Sequence, residues 1–297
     1  MQSEAIRFWG VRGSIATPGP RTTAVGGNTS CVEVQLAGQR ILLDGGTGLR
    51  ALGQHLAGQP VEATLLFGHL HWDHIQGVPF FGPLFHPGSR VRMVGPPNLE
   101  RALHSQMAGP MFPVAMDVFN AGLSLEPIEA GQRLQIGEVQ VTTAALNHPG
   151  GGIGYRLQHG DRSVVYAVDT EHPPQGIDPA LLELARGAEV LIYDAQYLPE
   201  EYPMRVGWGH STPEHGVALA LAAGVRTLVL THHDPARDDL QVLRMEQQAR
   251  REFPSTWAAR EGLTIELEGW SAHGHAVDYL ALAGAAPGRK QVNKSTA

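Results

Sequence analysis

Residues 67–77 read FGHLHWDHIQG, so His69, His71, Asp73 and His74 crowd into six consecutive positions. Imidazoles and a carboxylate packed this closely work against each other unless they share positive charge. Both are ligands for borderline to hard divalent ions such as zinc, manganese or iron. Side chains two apart on an extended loop face the same way, so His69 and His71 can grip one ion. Asp73 and His74 lie just beyond and can turn towards a second. Two ions need further ligands, and three residues at the exits of strand-like runs can supply them: His148 after VQVTTAALN, Asp169 after SVVYAV and His232 after TLVLT. His148 is expected at the first ion and His232 at the second, with Asp169 able to bridge. In THH, His233 competes with His232, but His232 comes first onto the strand rim. Two cations about 3.5–4 Å apart can hold a hydroxide and clamp a displacement reaction.

Other residues could serve such a centre. His210 stands directly before STPE, a helix start with Ser211 or Thr212 as N-cap, Pro213 in the first turn and Glu214 as capping-box partner. One account is that His210 merely precedes a cap. The other is that an imidazole beside a helix N-terminus, where anions are favoured, stabilises phosphoryl oxygens or protonates a leaving alkoxide. Asp194, closing EVLIYD, could orient that imidazole and raise its pKa, or act as an ordinary carboxylate behind the ligands. Asp44 in ILLDGGTG could support the His69–His71 loop or cap its own turn. Asn28, Thr29 and Ser211 are candidate substrate contacts, with loop structure as the competing explanation for GGNTSC. MAGPMFPVAM fits core packing, or the wall of a base-binding pocket.

The elements that must position these groups are readable from pattern. Cys31–Leu36 and Arg40–Asp44 flank a short turn and predict a hairpin, with a helix from about Gly48. ATLLFG is a strand ending at the histidine cluster, and NLERALHSQM a helix stopped by prolines. GYRLQHGDRSVVYAVDT predicts a second hairpin. PALLELARGAEVLIYDAQY and STPEHGVALALAAGVRTLVLTHH each read helix, glycine stop, buried strand. A helix near Leu240–Glu252 and a strand near Leu263–Glu268 follow. Hairpins first and helix–strand alternation later imply an αββα sandwich of two mixed sheets with helices outside. His69, His148, Asp169, Asp194 and His232 all fall just past strand ends, which can converge on one rim.

Composition limits the partners. The chain has 297 residues and a formal net charge of −7, with no arginine- or lysine-rich block of the kind a dedicated nucleic-acid binder uses. Cys31 is the only cysteine, which excludes an intrachain disulfide and a thiolate metal cluster. No signal peptide and no membrane-length apolar run is visible, so a cytoplasmic protein is expected. No internal linker divides residues 1–284, which are read as one domain, and residues 285–297 are expected to be a disordered tail.

His69, His71, Asp73, His74, His148, Asp169 and His232 resemble, in order and spacing, the metal motifs of the metallo-β-lactamase superfamily. The resemblance runs from GVRGS to LTHHDP. An aspartate at the bridging position resembles the phosphodiesterase-like and glyoxalase-like branches. LIYDAQY and GHST look like ribonuclease Z motifs, which would make Asp194 and His210 catalytic alongside Asp73. The resemblance implies a hydrolase with two divalent ions, most often zinc, acting on a small or cyclic phosphodiester. Alternatives are tRNA 3′-processing, lactone or thioester hydrolysis, and a metal-binding biosynthetic role without hydrolysis. The chain departs from ribonuclease Z in lacking an extended basic arm, since plain elements fill His148–Asp169 and Asp169–Asp194. A small diester rather than a long polyanion is therefore the expected partner, and a homodimer is left open.

Overall fold

The computed structural model describes residues 4–267 and 271–273. The expected tail and Glu268, at the end of the last expected strand, lie outside the described residues. Strands Ala5–Gly10 (β1), Cys31–Leu36 (β2), Gln39–Leu43 (β3), Glu62–Leu66 (β4), Arg90–Gly95 (β5) and Gly122–Pro127 (β6) build most of the first sheet. Strands Arg133–Ile136 (β7), Val139–Leu146 (β8), Gly152–His159 (β9), Arg162–Ala167 (β10), Val190–Asp194 (β11), Thr227–Thr231 (β12) and Thr256–Ala258 (β13) build the second. Thr264–Glu266 (β14) and Ser271–His273 (β15) then return to the first, giving strand orders 15-14-1-2-3-4-5-6 and 13-12-11-10-9-8-7.

Among the described residues six α-helices complete the architecture: Gly48–His55 (α1), Trp72–Ile75 (α2), Leu99–Gln106 (α3), Pro179–Ala185 (α4), Pro213–Ala223 (α5) and Asp239–Glu252 (α6). One apolar cluster runs from Ile6, Val34 and Ile41 of the first sheet, through Val141, Val165 and Ile192 of the second, to Leu181, Val217 and Val242 on helices. A separate cluster packs Leu49, Leu52, Leu99 and Leu103 of α1 and α3 against Leu65 and Met93. Helices thus cover both outer faces of two mixed sheets, the αββα arrangement. Strands β11 and β12 are buried at every position and lie parallel, as their unbroken apolar runs require.

Direction of travel sets the functional rim. Strands β3 and β4 are parallel, as are β10, β11 and β12, while two antiparallel steps from β10 through β9 give β8 the same direction. Local signals fix the helices between them. Asp178 accepts from the Ala180 and Leu181 amides to start α4, and Asp238 with Gln241 forms a capping box on α6. Thr212 rather than Ser211 caps α5, which leaves Glu214 one position short of the capping-box place. His215 occupies that place instead, with its Nδ1 3.0 Å from Thr212 Oγ1.

Strands β1, β5 and β6 escape the sequence pattern. Arginines break the apolar runs in AIRFWG and RVRMVG, and GLSLEP ends in a proline, as edge strands tolerate.

Candidate metal centre

The seven expected ligands converge. His69, His71, Asp73 and His74 follow β4. His71 keeps an extended backbone (φ −64°, ψ 157°) as the cap of α2, and the helical turn then brings Asp73 and His74 round, with the His74 ring 4.3 Å from that of His69. His71 Nδ1 lies 3.0 Å from His148 Nε2, and the rings of His69 and His148 pack at 4.7 Å. On the other side, His74 Nε2 lies 3.3 Å from His232 Nε2, and Asp73 Oδ2 is 3.2 Å and 3.3 Å from those two atoms. Asp169 stands between the groups. Its Oδ1 is 3.8 Å from His69 Nε2 and 3.6 Å from His148 Nε2, while its Oδ2 is 2.9 Å from His74 Nε2 and 3.1 Å from His232 Nε2. One carboxylate therefore presents one oxygen to each histidine set.

The donor set fits divalent cations. His71 Nδ1 and His148 Nε2 face each other, His74 and His232 converge on the same carboxylate oxygens, and the buried Nε2 of His69 has no hydrogen-bond partner. Burial, reinforced by His74, holds His69 well below its ordinary pKa, and burial also lowers His148. Burial alone would raise Asp73 and Asp169. The surrounding histidines outweigh it and keep both carboxyls well below the usual range. Neutral imidazole and ionised carboxylate are the forms that bind metal. His74 is pushed down by burial but up, more strongly, by Asp169, Asp73 and Asp44. Carboxylates that draw a proton to His74 would draw a cation equally.

Backbone strain is concentrated here. Ser14, Asp44, Asp169 and His232 all have φ near +61 to +62°, and Ala37 in a hairpin turn is the only other non-glycine residue with positive φ among the described residues. A left-handed turn at a strand end costs a non-glycine residue about 1–3 kcal/mol and redirects its side chain back over the rim.

A model of the Beta-lactamase superfamily domain matches residues 39–233, most of the chain and all seven of these residues. The chain belongs to the metallo-β-lactamase superfamily. A ribonuclease Z from Methanothermobacter thermautotrophicus is 24% identical, over 82% of this chain and 93% of that protein. Among solved structures, the metallo-β-lactamase fold protein YhfI from Bacillus subtilis superposes with a TM-score of 0.69 at 18% identity, over 89% of this chain and all of that one. A diphosphatase from the PhnP family superposes at 0.66 and 20% identity, over 89% and 98% of the two chains.

In this superfamily hydrolase, His210 Nδ1 lies 2.8 Å from Asp194 Oδ2, and its ring packs 5.0 Å from His232 and 5.3 Å from His148. Burial lowers its pKa, but the charge and hydrogen bond of Asp194, with Asp169 and Asp73 behind, lift it to about 9. Asp194 also accepts from the amides of Asp169, Gln196 and Ser211. Asp44 supports the His69–His71 loop: its Oδ1 accepts from Gly68 N–H at 2.9 Å, and its Oδ2 meets His74 Nδ1 at 2.7 Å and accepts from Tyr166 OH at 2.6 Å. A carboxylate behind a ligating histidine fixes its tautomer and orientation.

Sequence reasoning missed several supports. The Ser14 amide donates to Asp73 Oδ2 at 2.7 Å, and the Gly209 carbonyl accepts from His148 Nδ1 at 2.9 Å. Glu171 in turn holds the 207–209 loop by accepting from the Gly207 and Gly209 amides. These are backbone contacts and leave little mark on residue type. His233 is buried with Nε2 on the Ala259 carbonyl, so His232 is the rim residue of THH.

The proposed substrate contacts do not reach the cleft. Asn28 is held by Glu261, and Thr29 exchanges hydrogen bonds with Thr47 through backbone and hydroxyl. The Ser211 hydroxyl turns to His172 and Tyr193. The cleft over the cluster has a volume of about 470 Å³ and is lined by Ser14, Trp72, Pro149, Gly207 and Trp208 together with His71, Asp73, His148, Asp169, His210 and His232.

Proposed function

We propose that this hydrolase is a binuclear metal phosphodiesterase, with zinc the fitting metal, acting on a small or cyclic diester. The observation that carries the reading is Asp169, whose two oxygens face two separate histidine sets. His69, His71 and His148 would hold one ion, and Asp73, His74 and His232 the other. When bound, two such ions supply an activated water and neutralise charge on a phosphoryl group. The chain's own residues do the rest. Asp194 binds His210 at Nδ1 and leaves Nε2 to deliver a proton to the departing oxygen. Ser14 N–H and Asp44 fix the orientation of Asp73 and His74.

A hydrolysis screen of metal-loaded protein on bis(p-nitrophenyl) phosphate, cyclic nucleotides and a lactone tests the reading. Lactone turnover with inert diesters would overturn it. The ribonuclease Z relative favours a second reading, tRNA 3′-processing. Against it stand the acidic chain and the hairpin β9–β10 alone between His148 and Asp169, which offer a polyanion little to grip.

A further inference from the structure

Two indoles stand at the mouth of the cleft. Trp72 lies between the ligands His71 and Asp73 on the first sheet's loop, and Trp208 lies on the loop that leads from the second sheet to His210. They are 56% and 58% exposed, yet both line the cavity over the metal cluster. Arg205 stacks over Trp208, its guanidinium carbon 5.2 Å from the ring centre, and pairs with Asp234 at 3.8 Å. This fixes the ring while leaving more than half of the residue open. Met204 and Val206 in the Trp208 loop, and Ile15 in the segment after β1, are also exposed. A surface indole has a large apolar face whose exposure is unfavourable unless something covers it, and a planar ring covers it best.

Charge narrows the occupant further. No arginine or lysine lines the cleft among the described residues, so apart from the ions its lining offers no cation to grip a polyphosphate tail.

Building on the diesterase reading, we propose that Trp72 and Trp208 are specificity-determining residues that stack on a planar heterocycle carried by the non-leaving arm of a monoanionic phosphodiester. The site then selects nucleoside-like diesters over purely aliphatic ones.

Two substrates with the same leaving group test this: thymidine 5′-(p-nitrophenyl phosphate) and methyl p-nitrophenyl phosphate. The ratio of their kcat/KM values isolates the non-leaving arm. The expected ratio is roughly tenfold or more in favour of the thymidine ester, carried by KM. It should fall at least about fivefold in Trp208→Ala and in Trp72→Leu, with metal content checked in each. Quenching of tryptophan fluorescence by adenosine 3′,5′-cyclic phosphorothioate gives a readout without turnover, and should weaken in both variants. A ratio near one, or a ratio unmoved by both substitutions, overturns the stacking proposal while leaving the diesterase reading intact. If neither ester is hydrolysed the diesterase reading fails. Quenching then decides stacking alone, with undiminished quenching in both variants, or none in the unsubstituted protein, refuting it.

Discussion

Replacing Asp194 by asparagine separates its effect on His210 from that of the imidazole itself. Asp194 Oδ2 lies 2.8 Å from His210 Nδ1 and is the main reason that this imidazole titrates at about 9 instead of 6.5. At pH 7.5 a pKa of 9 leaves roughly 97% of the ring protonated, and a pKa of 6.5 only roughly 9%. Bound cations would neutralise Asp73 and Asp169, and burial pulls downwards, so the variant falls to 6.5 or lower. The fraction able to act as an acid therefore drops, by about tenfold for the full difference between 9 and 6.5. kcat on a diester with a poor leaving group should fall by that factor at pH 7.5 and recover as the pH is lowered towards 6. The same cations remove part of the lift on His210 in the native protein, so its activity should decline at a pH below 9 but above that of the variant. His210→Ala should lose about 10²-fold at every pH, and less on a p-nitrophenyl ester, whose leaving group hardly needs a proton. The new NH2 must face either the Gln196 and Ser211 N–H groups or the Asp169 N–H beside His210, at a cost of about 1–3 kcal/mol, so the melting temperature must be recorded beside kcat. A folded, metal-replete Asp194→Asn with the native pH profile would refute the acid role. Loss of metal from His210→Ala would make that residue a ligand.

Elemental analysis after gentle purification should find close to two divalent ions per chain, and a value of one that Asp169→Ala leaves unchanged would sink the binuclear reading. Asp44→Ala removes the partner of His74 Nδ1 and should weaken metal binding about 10–100-fold in a chelator competition. A Cβ on Gly209 would meet His148 Nδ1 at 2.3 Å at a φ of +84°, so Gly209→Ala should displace that ligand and lower metal affinity together with kcat. Native affinity in that variant would show that the loop yields freely. Small diesters should be hydrolysed far faster than 3′-extended tRNA, and efficient tRNA cleavage with inert diesters would reverse that order.

The convergence of the seven candidate ligands was legible because four sit in one short loop and the rest sit at strand exits, and strand exits follow from local pattern. Chain direction then carries all of them to one rim without any long-range information. The role of Asp44 was open between two readings, since only the fold brings Tyr166 and His74 to its oxygens. Asn28, Thr29 and Ser211 misled because small polar residues near glycines suit both loop building and ligand contact. Here loop building uses up their hydrogen bonds. Ser14 and Gly209 act through backbone groups, and Trp72 and Trp208 matter through exposure, neither of which is written in residue order.

The candidate ligands are shared between the halves of the sandwich: His69, His71, Asp73 and His74 leave the first sheet, and His148, Asp169 and His232 leave the second. Cations held between them would act as a rivet through both sheets, tying chain segments far apart in sequence. A disulfide does the same work elsewhere, but the single buried Cys31 cannot form one within the chain. Closing so long a loop restricts the unfolded chain by an amount on the order of a few kcal/mol. Metal starvation would then do more than stop catalysis. It would let the rim of the sandwich part, and amides at the ends of β4, β10 and β12 would lose protection from hydrogen exchange together, on both sheets at once.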